Sequence, residues 1–279
     1  MNRIYFFKCS AAGNDFVLFD DDITPDLSLD GKFIRKICDR RLGVGADGII
    51  RIKNSGKADF EMFYYNSDGT GGMLCANGAR AALKYVRFAG KVKNNDIVFE
   101  SSGRRYKGNI VSETEIKFYF SDIGEINVIE DLEIAGRKIA GYEIDTGARH
   151  LVININDLKN SAPDELSDFP VVELGRIIRY SERFEPEGIN VNFVEFTGPE
   201  LKIRTYEKGV EDETLSCGTG SAAAAIVAHK IFNYKPPVVL YPKSGDKFIV
   251  DFNVNGNKIA DVSLTGPAQI IYKGELLNL

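Results

Sequence analysis

NSDGTGGMLCANGARAA at residues 66–82 and EDETLSCGTGSAAAA at residues 211–225 follow one plan. A cysteine is followed by small or glycine residues, and these lead into an alanine-rich run of good helix formers. Cys75 therefore stands at the start of one strong helix and Cys217 at the start of another. The two surroundings echo each other further. A Ser-Gly pair follows each cysteine at the same distance and ends at Gly103 and Gly245. Upstream, CSAAGNDFVLF parallels IDTGARHLVIN, with Gly13 matching Gly147. Three landmarks in the same order point to an internal duplication.

Between these landmarks the chain reads mostly as strands. IYFFKC, DFVLFD, ADGIIRIK, ADFEMFYYN, DIVFES, YKGNIV and EIKFYF carry β-rich patterns in the first half. Helical spacing occurs over 30–41 and in ARAALKYVRFAG, which stops at Gly90. After about residue 121 the pattern restarts. GYEID, HLVININ, INVNFVEF, LKIRTYE, PVVLYP, FIVDFNV and KIADVSL read as strands, and 171–180 and GSAAAAIVAHKIF as helices. No doubly wound alternation is visible, so the expected class is α+β. The expected division is residues 1–120, with a C-terminal strand from about 264–279, and residues 121–263.

Composition bounds the function. The 279 residues are 44% hydrophobic and 27% charged, with a formal net charge of −5. No basic run marks a nucleic-acid footprint, and no apolar run of about 18 residues marks a membrane span. The opening MNRIYFFKCSAAGNDF is too short and too soon polar for a secretory signal, so a cytoplasmic protein is expected. Cys9, Cys38, Cys75 and Cys217 form no C-x-x-C pair, and His150 and His229 are the two histidines. Zinc is not expected, and free thiols are. Cys38, within FIRKICDRRL, reads as a buried apolar residue. GVGADG at 43–48 fits a glycine-rich dinucleotide pattern, but it lacks the strand–turn–helix setting and reads as a loop.

A cysteine at a helix start meets unpaired amide N–H groups and the positive end of the macrodipole, which favour thiolate. The same amides, from Asn77 and Gly78 in one half and Gly218, Thr219 and Gly220 in the other, can receive a carboxylate. Two such starts facing one carboxylate would place a thiol on each side of its α-carbon. One thiolate would remove the α-proton and the other thiol would return a proton to the opposite face. The helix ends would stabilise the charge that develops, so no cofactor is expected.

The blocks GNDFVLFD, DRRLGVGADG, NSDGTGGMLCANGAR, EGINVNF and RTYEKGVEDETLSCGTGSA, in this order from residue 13, resemble the motifs of diaminopimelate epimerases. The cysteine pair is shared with proline racemase relatives, whereas GNDF, CANGAR and NVNF point to diaminopimelate. The resemblance implies two similar domains related by a pseudo-two-fold axis, each a β-barrel-like sheet wrapped around a central helix, with the site in the cleft between them. It implies interconversion of LL- and meso-2,6-diaminopimelate, in lysine and peptidoglycan-precursor synthesis. Cys75 and Cys217 match the acid–base pair. Asn14, Asn66 and Asn190 match binders of the substrate's polar groups, and Glu207 a group that holds its amine. Ala76, Asn77, Gly78, Gly218 and Thr219 match the carboxylate-binding helix ends, and His150 a supporting histidine. Lys208 stands where an arginine usually holds the distal carboxylate, Ala76 where glycine is usual, Ala148 where asparagine is frequent, and Gly48 where some members carry a polar side chain. The expected partner is the small-molecule substrate, with no nucleic acid, membrane or metal, and with a homodimer as the assembly considered. Two readings stand beside this one. The first is a cofactor-free racemase of the proline or hydroxyproline type. The second is a non-enzymatic member of the fold that only binds small molecules.

Overall fold

The computed structural model describes residues 3–72, 74–134, 136–158, 165–196 and 198–277. The chain divides into two compact units, Met1–Tyr119 with Thr265–Leu279, and Phe120–Leu264.

In the first unit, β1 (Ile4–Ala11) and β2 (Asn14–Asp20) pair antiparallel about Gly13, whose φ of +84° suits glycine. Helix α1 (Gly31–Cys38) then crosses to β3 (Gly48–Lys53), which lies parallel to β2. Asp30 starts α1 by accepting the N–H of Phe33. β4 (Phe60–Asn66) returns antiparallel to β3. Helix α2 (Ala76–Phe88) crosses to β5 (Asp96–Ser101), parallel to β4, and β6 (Arg104–Ile110) and β7 (Glu115–Tyr119) follow antiparallel. Helix α2 packs against β1, β2, β3, β4, β6 and β7, so the sheet wraps around it. Leu83 lies where a Cβ on Gly108 would be, at 2.2 Å, which lets β6 come close to the helix.

The second unit repeats this order. β8 (Asn127–Ile134) and β9 (Arg137–Asp145) pair antiparallel, and β10 (Arg149–Asn154) is antiparallel to β9. Helix α3 (Val171–Arg179) crosses to β11 (Asn190–Glu195), parallel to β10. β12 (Leu201–Glu207) is antiparallel to β11 and carries the short β13 (Asp212–Thr214). Helix α4 (Gly218–Phe232) crosses to β14 (Val238–Tyr241), parallel to β12, and β15 (Phe248–Asn255) pairs with β14. β16 (Lys258–Pro267) follows, and the last strand, β17 (Gln269–Leu276), lies antiparallel to β1 as β8 lies to β9. Helix α4 is apolar all round, and every residue from Ala222 to Ala228 is buried. Such a helix is stable only when covered on all sides. β9, β10, β11, β12, β14 and β15 all pack against it.

Both units thus run antiparallel, parallel, antiparallel, parallel, antiparallel from β1 and from β9. Each parallel pair contains a crossover helix, as parallel strands require. These βαβ connections alternate with hairpins, so the class is α+β, as expected from the sequence. The paired glycines of the repeat share their conformation: Gly13 and Gly147 have φ of +84° and +98°, and Gly103 and Gly245 of +73° and +78°. Three strands escaped the sequence reading in part. β8 was not singled out because VIEDLEIAG mixes charge with no clean alternation, β13 is three residues long, and β17 was expected only as an approximate range. Among the described residues, no helix is long and apolar enough to cross a membrane, and no group of three or more His, Cys, Asp or Glu could hold a metal.

Candidate active site

Cys75 is the N-cap of α2, with extended backbone at φ −95° and ψ 118°. Its Sγ accepts the N–H of Gly78 at 3.3 Å. The thiol donates to Asn14 Oδ1 at 3.7 Å, and Asn77 Nδ2 donates to the same oxygen at 3.4 Å. The amide of Asn14 is oriented from behind. Its Nδ2 donates to Asp47 Oδ2 at 2.6 Å, so Oδ1 is left toward the thiol. Asp47 in turn accepts from Arg40 Nη2 at 2.6 Å, and Arg40 holds Asp15 with both terminal nitrogens, at 3.2 and 2.8 Å. Lys8 reaches Asp15 and the Gly45 carbonyl from the interior. Burial raises the Asp15 carboxyl, but hydrogen bonds from Arg40 and Lys8 outweigh it and hold it below the usual range. Arg80, fully buried on α2, donates to Asn77 Oδ1 at 2.9 Å.

The loop that carries Asp47 is GVGADG. Its amides of Val44 and Gly45 bond the Ile37 carbonyl, and that of Ala46 bonds Cys38, so it folds over the end of α1. A Cβ on Gly43 would lie 2.1 Å from the Lys36 carbonyl. The glycines serve this wrapping, and the sequence expectation of a plain loop agrees with it.

Asn66 closes β4, exposed, with Nδ2 on Thr70 Oγ1 at 2.9 Å. Gly48 pairs with it across the strands. A Cβ on Gly48 would meet the Tyr65 carbonyl at 2.6 Å and the Tyr64 hydroxyl at 2.9 Å. Tyr64 therefore fills the space that a polar side chain at position 48 would use. Ala76 is buried in the first turn of α2, where its backbone N–H precedes the first intrahelical bond.

Cys217 caps α4 in the same way, at φ −124° and ψ 113°, with the N–H of Gly220 on its Sγ at 3.4 Å. Gly218 and Thr219 form the first turn, and Thr146 Oγ1 donates to the Thr219 carbonyl at 2.9 Å. Thr219 Oγ1 lies 3.4 Å from Cys217 Sγ and 2.9 Å from His150 Nε2. His150 is fully buried, and burial pushes its pKa down to about 3, so the ring is neutral. Its Nδ1 lies 3.1 Å from Asn192 Nδ2, which also donates to the Leu151 carbonyl at 3.0 Å. Asn192 Oδ1 accepts from Thr205 Oγ1 at 2.9 Å.

Asn190 lies beside His150 across the parallel pair, and β12 places Glu207 opposite Asn190 when the register of Val191 with Tyr206 is continued. Both ends of the Asn190 amide are engaged by backbone: Nδ2 donates to the Arg149 carbonyl, and Oδ1 accepts the Lys208 N–H, each at 2.9 Å. The Lys208 side chain is exposed just beyond the strand. Ala148 lies in the turn after Gly147, where its carbonyl accepts the Thr146 N–H at 3.1 Å.

Strand pairing aligns the two halves residue by residue. Phe16, Gly48 and Asn66 sit side by side in the first unit, as do His150, Asn190 and Glu207 in the second. Ile50 and Tyr64 correspond likewise to Asn192 and Thr205. The site residues expected from sequence thus gather, within each unit, at the cysteine-capped helix start and at the adjoining strand ends. The sequence reading missed Asp47, Arg40, Tyr64, Asn192 and Thr205. Asn192 had a signal: in NVNF it alternates with Asn190 and so shares its face of the strand.

The family described as diaminopimelate epimerase matches residues 6–128 and 142–271. The diaminopimelate epimerase of Aquifex aeolicus (strain VF5) is 35% identical over 283 residues, covering 97% of each chain. That of Archaeoglobus fulgidus is 39% identical over 241 residues, covering 82% of each chain. Among solved structures, a hydroxyproline epimerase from Agrobacterium vitis has a TM-score of 0.74 at 12% identity, covering 99% of this chain and 91% of that one. A phenazine biosynthesis protein of the PhzF family from Bacillus anthracis has a TM-score of 0.70 at 15% identity, with both chains fully covered. At such identities these structures establish a shared fold.

Proposed function

The chain belongs to the diaminopimelate epimerase family, and from that membership we propose a two-thiol, pyridoxal-phosphate-independent interconversion of LL- and meso-2,6-diaminopimelate. The enzyme is an isomerase that serves lysine and peptidoglycan-precursor synthesis. One observation carries the mechanism: two cysteines, at equivalent places in a duplicated fold, each cap a helix and each receive an N–H on sulfur. A sulfur so placed is stabilised as thiolate. Cys75 and Cys217 act on opposite faces of one α-carbon, one as base and the other as acid, and they exchange roles when the substrate is reversed. The amides of the two helix starts, at Ala76, Asn77, Gly218 and Thr219 and at Gly78, whose N–H also reaches Cys75 Sγ, bind the substrate carboxylate and stabilise the charge that builds on it.

Asn14, Asn66, Asn190, Glu207 and Lys208 bind the substrate's polar groups, with Lys208 at the distal carboxylate. His150 supports the cysteine of its own unit. The enzyme works in the cytoplasm on a small molecule, without nucleic acid or membrane, and as a homodimer, which sedimentation would test. The deciding experiment is incubation with LL-diaminopimelate in deuterated water. Label at the α-carbon together with formation of the meso form supports the reading. Faster exchange with proline or hydroxyproline would move the protein to the racemase class, and no exchange with any of these would make it a binding protein.

A further inference from the structure

The row of strand ends that carries site residues is filled differently in the two units. β10, β11 and β12 bring His150, Asn190 and Glu207 side by side, each with a polar side chain. The equivalent row of the first unit is Phe16, Gly48 and Asn66, so the middle place, which Asn190 holds in the second unit, has no side chain of its own. Tyr64 covers it. Tyr64 precedes Asn66 by two residues on β4 and so shares its face, the one on which Met62 and Ile50 meet the first turn of α2 at Gly78. A Cβ on Gly48 would lie 2.8 Å from Tyr64 Cε2 and 2.9 Å from the Tyr64 hydroxyl oxygen. The outer edge of the ring therefore lies across Gly48 and puts the hydroxyl where a side chain at position 48 would begin. Phe16, fully buried, supports the ring edge to face, with centroids 6.1 Å apart and planes at 78°. Tyr64 is half-buried at the end of this stack.

We propose that Tyr64 is a specificity-determining residue whose hydroxyl stands in for the missing side chain of position 48 and donates a hydrogen bond to the distal carboxylate of diaminopimelate. The proposal rests on the substrate reading above and deepens it by naming a further contact. In that reading the helix-start amides take the reacting carboxylate and Glu207 the amine. Lys208 brings a single point charge to the distal carboxylate, where an arginine would span both oxygens. One oxygen is left for a second donor, and a phenol O–H supplies it. A hydrogen bond to an ionised acceptor is stronger than one between neutral groups.

Two neighbours mark this place as one that faces a ligand. Asn66, which pairs with Gly48 across the strands, and Asn190, which holds the equivalent register position in the second unit, are both binders of the substrate's polar groups in the function proposed above. Covering Gly48 needs only an aromatic ring, and phenylalanine would do it equally well. The hydroxyl is therefore the part that separates a contact from packing. A tyrosine also suits the task because its ring is rigid and only two torsions have to be fixed. The contact carries selectivity as well. Proline and hydroxyproline have no second amino-acid head and would leave the hydroxyl without the partner that diaminopimelate provides.

The test is steady-state epimerisation of LL-diaminopimelate by the full chain carrying Tyr64→Phe, with Tyr65→Phe as the control. Tyr65 follows directly on β4 but faces the other side of the sheet, against the cluster that contains Val17, Phe19 and Ile49. Tyr64→Phe should raise KM by about tenfold or more, as expected for a lost hydrogen bond to a charged group. Its kcat should stay within about twofold, because the distal head does not change charge during proton transfer. Tyr65→Phe should leave both constants near those of the parent, and both variants should melt with the parent. An unchanged KM in Tyr64→Phe, an equal rise in the two variants, or a loss confined to kcat overturns the contact. A parent that does not epimerise diaminopimelate removes the function, and this contact with it. An active parent beside a Tyr64→Phe variant of unchanged KM removes the contact alone.

Discussion

His150 Nε2 lies 2.9 Å from the Thr219 hydroxyl, inside a unit where the ring is fully buried and neutral. A consequence for stability follows from its protonation. The folded value, pushed down to about 3 by burial, is below the ordinary value of 6.5 that the unfolded chain regains. Between these values the unfolded state takes up a proton that the native state refuses. Stability is therefore complete above about 6.5 and is lost as pH falls toward 3, by up to about 1.4 kcal/mol per pH unit. Urea unfolding at pH 7 and pH 5 should show this loss. His150→Gln should be less stable at pH 7 but should lose less between the two. An equal loss in both proteins would mean that other groups sense the acid.

Gly220→Ala and Gly78→Ala should separate. The first forces a methyl to 2.3 Å from the amide oxygen of Asn192, which is held by Thr205 and cannot turn away. The second meets the flexible end of Met62 at 3.3 Å, which can shift. Overpacking of the first kind costs about 1–3 kcal/mol. We expect Gly220→Ala to lose stability of that order and most epimerase activity, and Gly78→Ala to lose much less of both. Equal melting temperatures for the two variants would show that α4 has more freedom than its packing suggests.

Cys75→Ala and Cys217→Ala should each abolish epimerisation, because every turnover uses both faces of the α-carbon. A single positioned acid or base contributes about 10²–10⁴-fold, so either loss takes the rate below that of any partial binding defect. Steady-state rates in both directions check this, and near-normal turnover by either variant would remove the two-thiol scheme. Serine at either position keeps the helix cap, so folding should survive. Its weaker acidity should still cost orders of magnitude in inversion.

The duplication was legible because its landmarks are local. Glycines with positive φ and cysteines at helix starts are marked by their immediate neighbours, and the matched spacing of Gly103 and Gly245 needs no knowledge of the sheet. The crossover order was less legible, since each parallel pair is separated by a helix and a register that only packing sets. The hydrogen bonds that join Asn192, His150 and Thr219 were harder still. His150 and Thr219 are 69 residues apart and Asn192 is 42 from His150, so no spacing rule connects them. Asp47 was hidden for another reason. The glycines beside it suggested a loop, and its work on Asn14 appears only when that loop folds over the end of α1. Gly48 is similar: its departure from the family pattern makes sense once Tyr64 is seen in the space its side chain would need.

Lys208 offers the clearest test of substrate choice. Its backbone N–H is fixed by Asn190 Oδ1 at 2.9 Å, and Asn190 is itself fixed to the Arg149 carbonyl, so the turn that carries Lys208 is anchored to β10. The side chain is exposed. A lysine offers a point charge where an arginine would offer a two-pronged fork, so one carboxylate contact can be kept while its geometry is looser. The distal carboxylate of diaminopimelate does not change charge during proton transfer at the other end. Binding it therefore lowers ground state and transition state alike, and Lys208→Ala should raise KM more than it lowers kcat. A charge-assisted hydrogen bond of this kind contributes about 1.5–3 kcal/mol, which is roughly a ten- to hundredfold rise in KM. Lys208→Arg should be tolerated and should tighten binding through a bidentate contact. Asn190→Ala should act on the same step, raising KM both by losing its own substrate contact and by letting the turn move, and the second part of its effect should shrink when Lys208 is already alanine. Steady-state kinetics of the two single variants and the double variant with LL-diaminopimelate measure all of this. A KM unmoved by Lys208→Ala would take Lys208 out of distal recognition while leaving the chemistry at the two cysteines untouched.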